Sequence, residues 1–187
     1  MHDGDSAPAP WPLVDSEPGD DLVLFRVRYD DCRNPRNDRV LRRLVLETRS
    51  WVNVVAFTKD RRLIVVRQYR FGAGEVTTEI PGGVMDPGEE SGDTARRELR
   101  EETGYTSSKW TYLGNVLPNP AFLDNVCHHW LAEDCELTDE LELDEGEDIV
   151  VDTLPEDGVR DAVRDGTLRH SLVLAALARV LDLRTHS

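Results

Sequence analysis

The chain has 187 residues and a formal net charge of −15, with 37 acidic against 22 basic side chains. That length suits one domain with a sizeable core, and that charge argues against non-specific binding to nucleic acid or to an anionic membrane. No run of about 18 apolar residues exists to span a bilayer, the N-terminus MHDGDSAPAPWP lacks the basic and apolar regions of a signal peptide, and Cys32, Cys127 and Cys135 match no metal spacing, which together suit a reducing cytoplasm.

Residues 1–20, rich in Pro, Asp and Ala, read as a loosely ordered surface segment, and residues 21–187 as one domain. Strands are predicted over 21–29, 40–49, 51–58 and 63–70, each rich in apolar or β-favouring residues, with turns at 31–39 and 59–61. The Val-rich runs read as a sheet covered on both faces. A short strand over 77–81 leads into a helix that starts at Ser91 or Asp93 and ends at Thr103, with Gly104 suited to the left-handed position beyond it. Strands follow over 110–116, 126–135 and 148–154, then a short helix over 155–164 stopping near Gly166. A last helix carries the apolar stripe Leu172, Val173, Ala176, Leu177 and Val180. The order fits an α/β fold, an α/β/α sandwich around a mixed sheet.

Within the first helix, Arg97-Glu98-Leu99-Arg100-Glu101-Glu102 places three carboxylates within about a third of the helix circumference, at ~3.6 residues per turn. Like charges so spaced repel, and a hard cation with oxygen ligands, Mg²⁺ or Mn²⁺, converts that cost into a gain. Arg97 stands four residues before Glu101, a spacing that permits an ion pair. Glu-rich helices are usually plain solvated surface, so the flanks decide. Gly83, five residues, Glu89, seven residues, then Arg-Glu-Leu-x-Glu-Glu-x-Gly-Tyr resembles the Nudix box, which specifies nine positions over the 23 residues 83–105. Tyr105 stands where an aliphatic residue is usual.

That resemblance implies the family's sandwich fold and metal-dependent hydrolysis of a nucleoside diphosphate linked to a further group. Metals neutralise the diphosphate and acidify water, and a nucleoside monophosphate and a sugar phosphate leave. It implies Glu98 and Glu102 as metal ligands, with Glu101 assisting at the metal or through water. A Gly83 carbonyl serves as an extra ligand, and Gly83, Glu89, Arg97 and Gly104 are structural parts of the box. Glu89 either contributes to the metal or braces the loop. Glu145-Gly146-Glu147-Asp148-Ile149 resembles an acidic loop that supplies the base in ADP-ribose-cleaving members. One of Glu145 and Glu147 is then the base and the other an outer metal ligand, against the alternative of a solvated turn in a stretch (133–148) where ten of sixteen residues are acidic.

RQYR (67–70), EIPGG (79–83) and Pro120 resemble the ADP-ribose and nucleotide-sugar branch, although Ala121 departs from the glycine that often follows that proline. Arg67 and Arg70, read as sharing one strand face, are candidates for phosphate contacts, and Glu79 for a hydrogen bond to base or ribose. Trp51 is assigned to the core or a dimer contact ahead of base stacking. His128 and His129, adjacent in a strand, face opposite ways, and neither is given a metal role. The branch implies a small-molecule nucleotide as partner and a homodimer in which N-terminal strands help build the partner's pocket. GDP-mannose or dinucleoside polyphosphate hydrolysis, and a non-catalytic module sensing nucleotide sugars, are the rival readings; the intact box glutamates oppose the last.

Overall fold

The computed structural model describes residues 7–184. They fall into two compact units.

The first unit runs to Thr48 and includes Asn119–Asn125. Strands β1 (Leu13–Asp21), β2 (Arg26–Arg33) and β3 (Val40–Glu47) form an antiparallel sheet in that order. Two expectations change here. Of residues 1–20, the first six lie outside the described residues, but 13–21 form a strand in register with β2, from Leu13 opposite Cys32 to Asp21 opposite Arg26. Its polar sequence, with Pro18 and Gly19, suits an exposed edge strand rather than loose chain. Ser16 donates to Asp30 at 2.7 Å and Arg42 reaches Glu17 at 2.6 Å, so side chains help hold the edge in place. The strand predicted over 21–29 starts later because Leu22–Phe25 make the β1–β2 turn, closed by Leu22 N–H donating to Phe25 O at 2.7 Å. The 119–125 segment docks on β3, where Leu46 N–H donates to Phe122 O at 2.7 Å.

The second unit holds the rest of the described chain. Its strands are β4 (Trp51–Thr58), β5 (Arg62–Arg70), β6 (Glu75–Glu79), β7 (Tyr105–Thr106), β8 (Lys109–Val116), β9 (Cys127–Leu137) and β10 (Val150–Pro155). The order is β10-β5-β4-β9-β7, with β6 on β5 and β8 on β9. Only β4 and β9 run parallel, so the sheet is mixed. The helices are α1 (Ser91–Thr103), α2 (Val159–Arg164), entered through a 3₁₀ turn at Glu156–Gly158, and α3 (Ser171–Leu177). The two-residue β7 had no sequence signal; it exists because Tyr105 and Thr106 meet Leu137 and Glu136.

The sandwich follows from period-two alternation. On β4 and β5, Val54, Ala56 and Ile64 pack with Ala95 and Leu99 of α1. Val55, Phe57, Leu63 and Val65 pack with Val159 and Ala162 of α2 and Val173, Ala176 and Leu177 of α3. Each is buried on its own side, which is why these strands read as unbroken apolar runs. Gly104 ends α1 in the left-handed conformation (φ 72°), and its N–H bonds Arg100 O. A side chain there would also overlap the Asp139 carbonyl, so glycine is required twice over.

Candidate active site

Helix α1 presents an apolar side to the sheet through Ala95 and Leu99 and carries Glu98 and Glu102 at the edge of that contact, 8% and 3% exposed. Dry carboxylates need partners. Glu102 accepts the Gly82 N–H at 2.9 Å. Glu98 accepts from Arg97 at 2.9 Å. Burial nevertheless dominates and pushes Glu98 up to about 7 and Glu102 to about 8. For Glu98, Arg97 pulls down while Glu101 and Glu147 push up; for Glu102, the Gly82 amide pulls down while Glu98 and Glu147 push up.

Arg97 is the hub of the box. It donates to Glu89 at 3.1 Å through two nitrogens, to Glu98 at 2.9 Å and to Glu101 at 3.2 Å. The bidentate contact from Arg97 is the main reason Glu89 is held down at about 2, and Glu89 also accepts the Asp86 N–H at 3.1 Å. Glu89 thus closes the loop before the helix onto Arg97. The expected ion pair between Arg97 and Glu101 is present.

The backbone from Pro81 to Gly83 runs beside β4: Val54 N–H donates to Pro81 O at 2.8 Å and Val52 N–H to Gly83 O at 2.9 Å. The Gly83 carbonyl keeps one lone pair. A Cβ on Gly83 would overlap the Glu98 carboxylate, so glycine is what allows the loop to lie against that group.

Arg67 and Arg70 do not share a face. Three residues apart on a strand, they point to opposite sides. Arg67 lies on the side of Val65 and pairs with Asp152 at 3.8 Å. Arg70 lies on the α1 side and makes a bidentate pair with Glu79, 2.7 Å on both arms. Burial pushes Glu79 up, but Arg70 and the Thr77 hydroxyl (2.6 Å) outweigh it and hold the carboxyl below its usual range. Arg70 is raised chiefly by its hydrogen bond to Glu79, against desolvation, and further by the charges of Glu79 and Glu102, so the three belong to one electrostatic group. Thr77 was missed from the sequence, though it stands two residues before Glu79 on the same strand face.

Of the late acidic loop, Glu147 acts on this group: its charge bears on Glu98, Glu102 and Arg70. Glu147 also accepts the Asp144 N–H at 3.0 Å and donates its own N–H to Asp144 O at 2.9 Å, closing a tight turn. Glu145 and Glu147 are both exposed in that turn. Pro120 is exposed within the 119–125 segment of the first unit. His128 accepts or donates at 2.9 Å with the Tyr112 hydroxyl, while His129 is fully buried on the other side of the strand.

Among the described residues, no three His, Cys, Asp or Glu side chains are gathered as a metal cage. Arg97 donates to Glu98 and Glu101, and the Gly82 amide donates to Glu102. The donor set still fits a hard divalent cation. It is all oxygen, two of its carboxylates are dry and repel each other, and the adjoining loop has no side chain in the way.

A NUDIX domain model matches residues 47–170, a span that contains the box, the Arg70–Glu79 pair and the acidic loop. This chain belongs to the Nudix family. A Bacillus subtilis protein named ADP-ribose pyrophosphatase is 36% identical over 150 residues, 80% of this chain and 75% of that protein. The Escherichia coli protein named ADP compounds hydrolase NudE is 28% identical over 144 residues, 77% of this chain and 76% of that protein. A crystal structure of an ADP compounds hydrolase superposes with a TM-score of 0.82 at 25% identity, covering 94% of this chain and 95% of that one. The chain is accordingly a Nudix hydrolase with the mixed-sheet Nudix sandwich. No helix among the described residues is long and apolar enough to cross a membrane.

Proposed function

We propose that this Nudix hydrolase cleaves the pyrophosphate bond of ADP-ribose or another nucleoside diphosphate sugar, releasing a nucleoside monophosphate and a sugar phosphate. The observation that carries the substrate class is the likeness, over most of both chains, to a protein named ADP-ribose pyrophosphatase. The Arg70–Glu79 pair beside Glu102 supports it. Arg70 is 44% exposed and the carboxylate under it is 4% exposed. A guanidinium so anchored is pre-set for a diphosphate oxygen or a ribose hydroxyl.

Glu98, Glu102 and the free lone pair of Gly83 O would hold Mg²⁺ or Mn²⁺, with Glu101 reached directly or through water. Such a cation, when bound, neutralises charge on the diphosphate and acidifies a neighbouring water. Arg97 and Glu89 fix the loop and the helix against each other so that the carboxylates do not shift as charge builds. Glu147 accepts the proton of the attacking water, with Glu145, exposed in the same turn, as the weaker candidate. Glu101 is the next candidate, and Arg97 engages it. We place the enzyme in the cytoplasm, on its unpaired thiols, and read it as a homodimer, following the branch it resembles.

The test is hydrolysis of a nucleotide panel with Mg²⁺ and with Mn²⁺, products resolved by mass. The expected result is a higher kcat/KM on at least one nucleoside diphosphate sugar than on any triphosphate or diadenosine polyphosphate. The reverse ranking overturns the substrate class.

A further inference from the structure

Between Leu137 and Ile149 the chain runs back along the end of α1. Seven of its residues are acidic: Asp139, Glu140, Glu142, Asp144, Glu145, Glu147 and Asp148. The helix end it meets carries Glu98, Glu101 and Glu102, so the two segments repel. Backbone bonds give partial compensation. Thr138 and Asp139 N–H donate to Gly104 O at 3.0 and 3.1 Å, and Glu142 N–H donates to Glu101 O at 2.9 Å. Arg97 is engaged by Glu89, Glu98 and Glu101. Arg100 is the cation at this joint. One nitrogen donates to Glu142 at 2.7 Å and another to Glu101 at 2.9 Å. Five residues beyond Glu142, after the turn closed by Glu147 and Asp144, comes the carboxylate whose charge bears on Glu98, Glu102 and Arg70.

We propose that Arg100 and Glu142 are positioning residues, an ion pair that fastens the acidic strap to the catalytic helix and thereby sets where Glu147, five residues further on, stands. The inference rests on the reading of Glu147 given above. It also explains why so acidic a segment lies against an acidic helix: Glu101 and Glu142 share one guanidinium, which offsets the repulsion where Glu142 meets the last turn of the helix. The pair is exposed, so global stability scarcely registers its loss. The strap itself, held by few contacts, does respond.

The test uses the full chain at saturating Mg²⁺ with the best substrate of the panel. Variants are Arg100→Glu, Glu142→Arg, the double exchange, Arg100→Lys and, separately, Glu147→Gln. Each charge reversal should lower kcat about 5-fold or more, the factor that ~1 kcal/mol of lost strap docking implies, with KM within about 2-fold and thermal midpoints unchanged. Amide exchange should rise over residues 138–148 and not elsewhere. The double exchange and Arg100→Lys should recover most of kcat and of the protection. Parental kcat in both single reversals, or a double exchange as slow as the singles, overturns the proposal. Parental kcat in Glu147→Gln overturns the base assignment itself and leaves the tether nothing to position, an outcome distinguishable from failure of the tether alone.

Discussion

The two faces of the central sheet are made from the same strands and are managed in opposite ways. Toward α2 and α3, Val55, Phe57, Leu63 and Val65 close a dry core, and the fully buried His129 has neither ring nitrogen bonded. Toward α1, Val54, Ala56 and Ile64 close a smaller core, and its margin carries Glu79, Glu98 and Glu102, all less than 9% exposed. The first face stabilises by burial; the second places charge where burial is unfavourable. Apolar contact from Ala95 and Leu99 anchors α1 firmly enough to hold Glu98 and Glu102 out of water, and their raised affinity for protons measures what a divalent cation would relieve.

Phe57→Ala strikes the apolar face and carries the largest effect. It should destabilise the protein by about 3–5 kcal/mol through lost burial and a residual cavity, while the kcat of the folded fraction stays near parental; denaturant unfolding with activity at low temperature checks both halves. Next is Glu102→Gln, which should keep the fold and lower kcat on the order of 10²–10³-fold, the scale at which one charge-stabilising group acts on a transition state. Parental activity under limiting Mg²⁺ would break the comparison, because the wet margin would then carry no chemistry. Glu147→Gln should lower kcat by roughly 10²-fold, the scale of general-base catalysis, with KM little changed. Glu145→Gln should cost far less, and the opposite ranking would move the base to Glu145.

The smallest effect is the dependence of metal-free stability on pH, where the two faces should slope in opposite directions. Glu98 and Glu102 sit at about 7 and about 8 in the folded chain, above an ordinary carboxylate at ~4.3. Their folded forms therefore hold protons that the unfolded chain has lost, and this contribution, complete below about pH 4, disappears as pH rises through 7 and 8. His129 is pushed down to about 4 by burial, with Arg179 and His128 adding to it. Its contribution is present above ~6.5 and is lost as pH falls toward 4. Thermal midpoints from pH 4 to 9 should fall at both ends. Glu102→Gln should weaken the alkaline fall and His129→Leu the acid one, and Mg²⁺ should suppress the alkaline fall because it binds the ionised carboxylates. An alkaline limb indifferent to Mg²⁺ would detach those carboxylates from a metal.

What could be read from the chain was whatever depends on neighbours in sequence. The box helix runs from Ser91 to Thr103 because Ala95 and Leu99 recur at helical spacing and Gly104 can take a positive φ. The strands β4 and β5 follow from runs of Val and Ile. The pairing of Arg97 with Glu101 needs only a four-residue offset. The strand β1 was misread because a polar edge strand has the composition of a loop and is defined by its partner β2. The shared face assigned to Arg67 and Arg70 failed for a local reason, since an odd offset on a strand reverses direction.

By itself, the sequence determined the family, the sandwich and the identity of the carboxylates on α1, since a 23-residue pattern and two short periodicities encode them. The tertiary structure alone decided which carboxylates are dry and that Glu79 is locked to Arg70. Each of those depends on groups that only folding brings together: the Gly82 amide meets Glu102 across 20 positions and Arg100 meets Glu142 across 42. Burial and charge coupling are set by distance in space, and no local pattern records it.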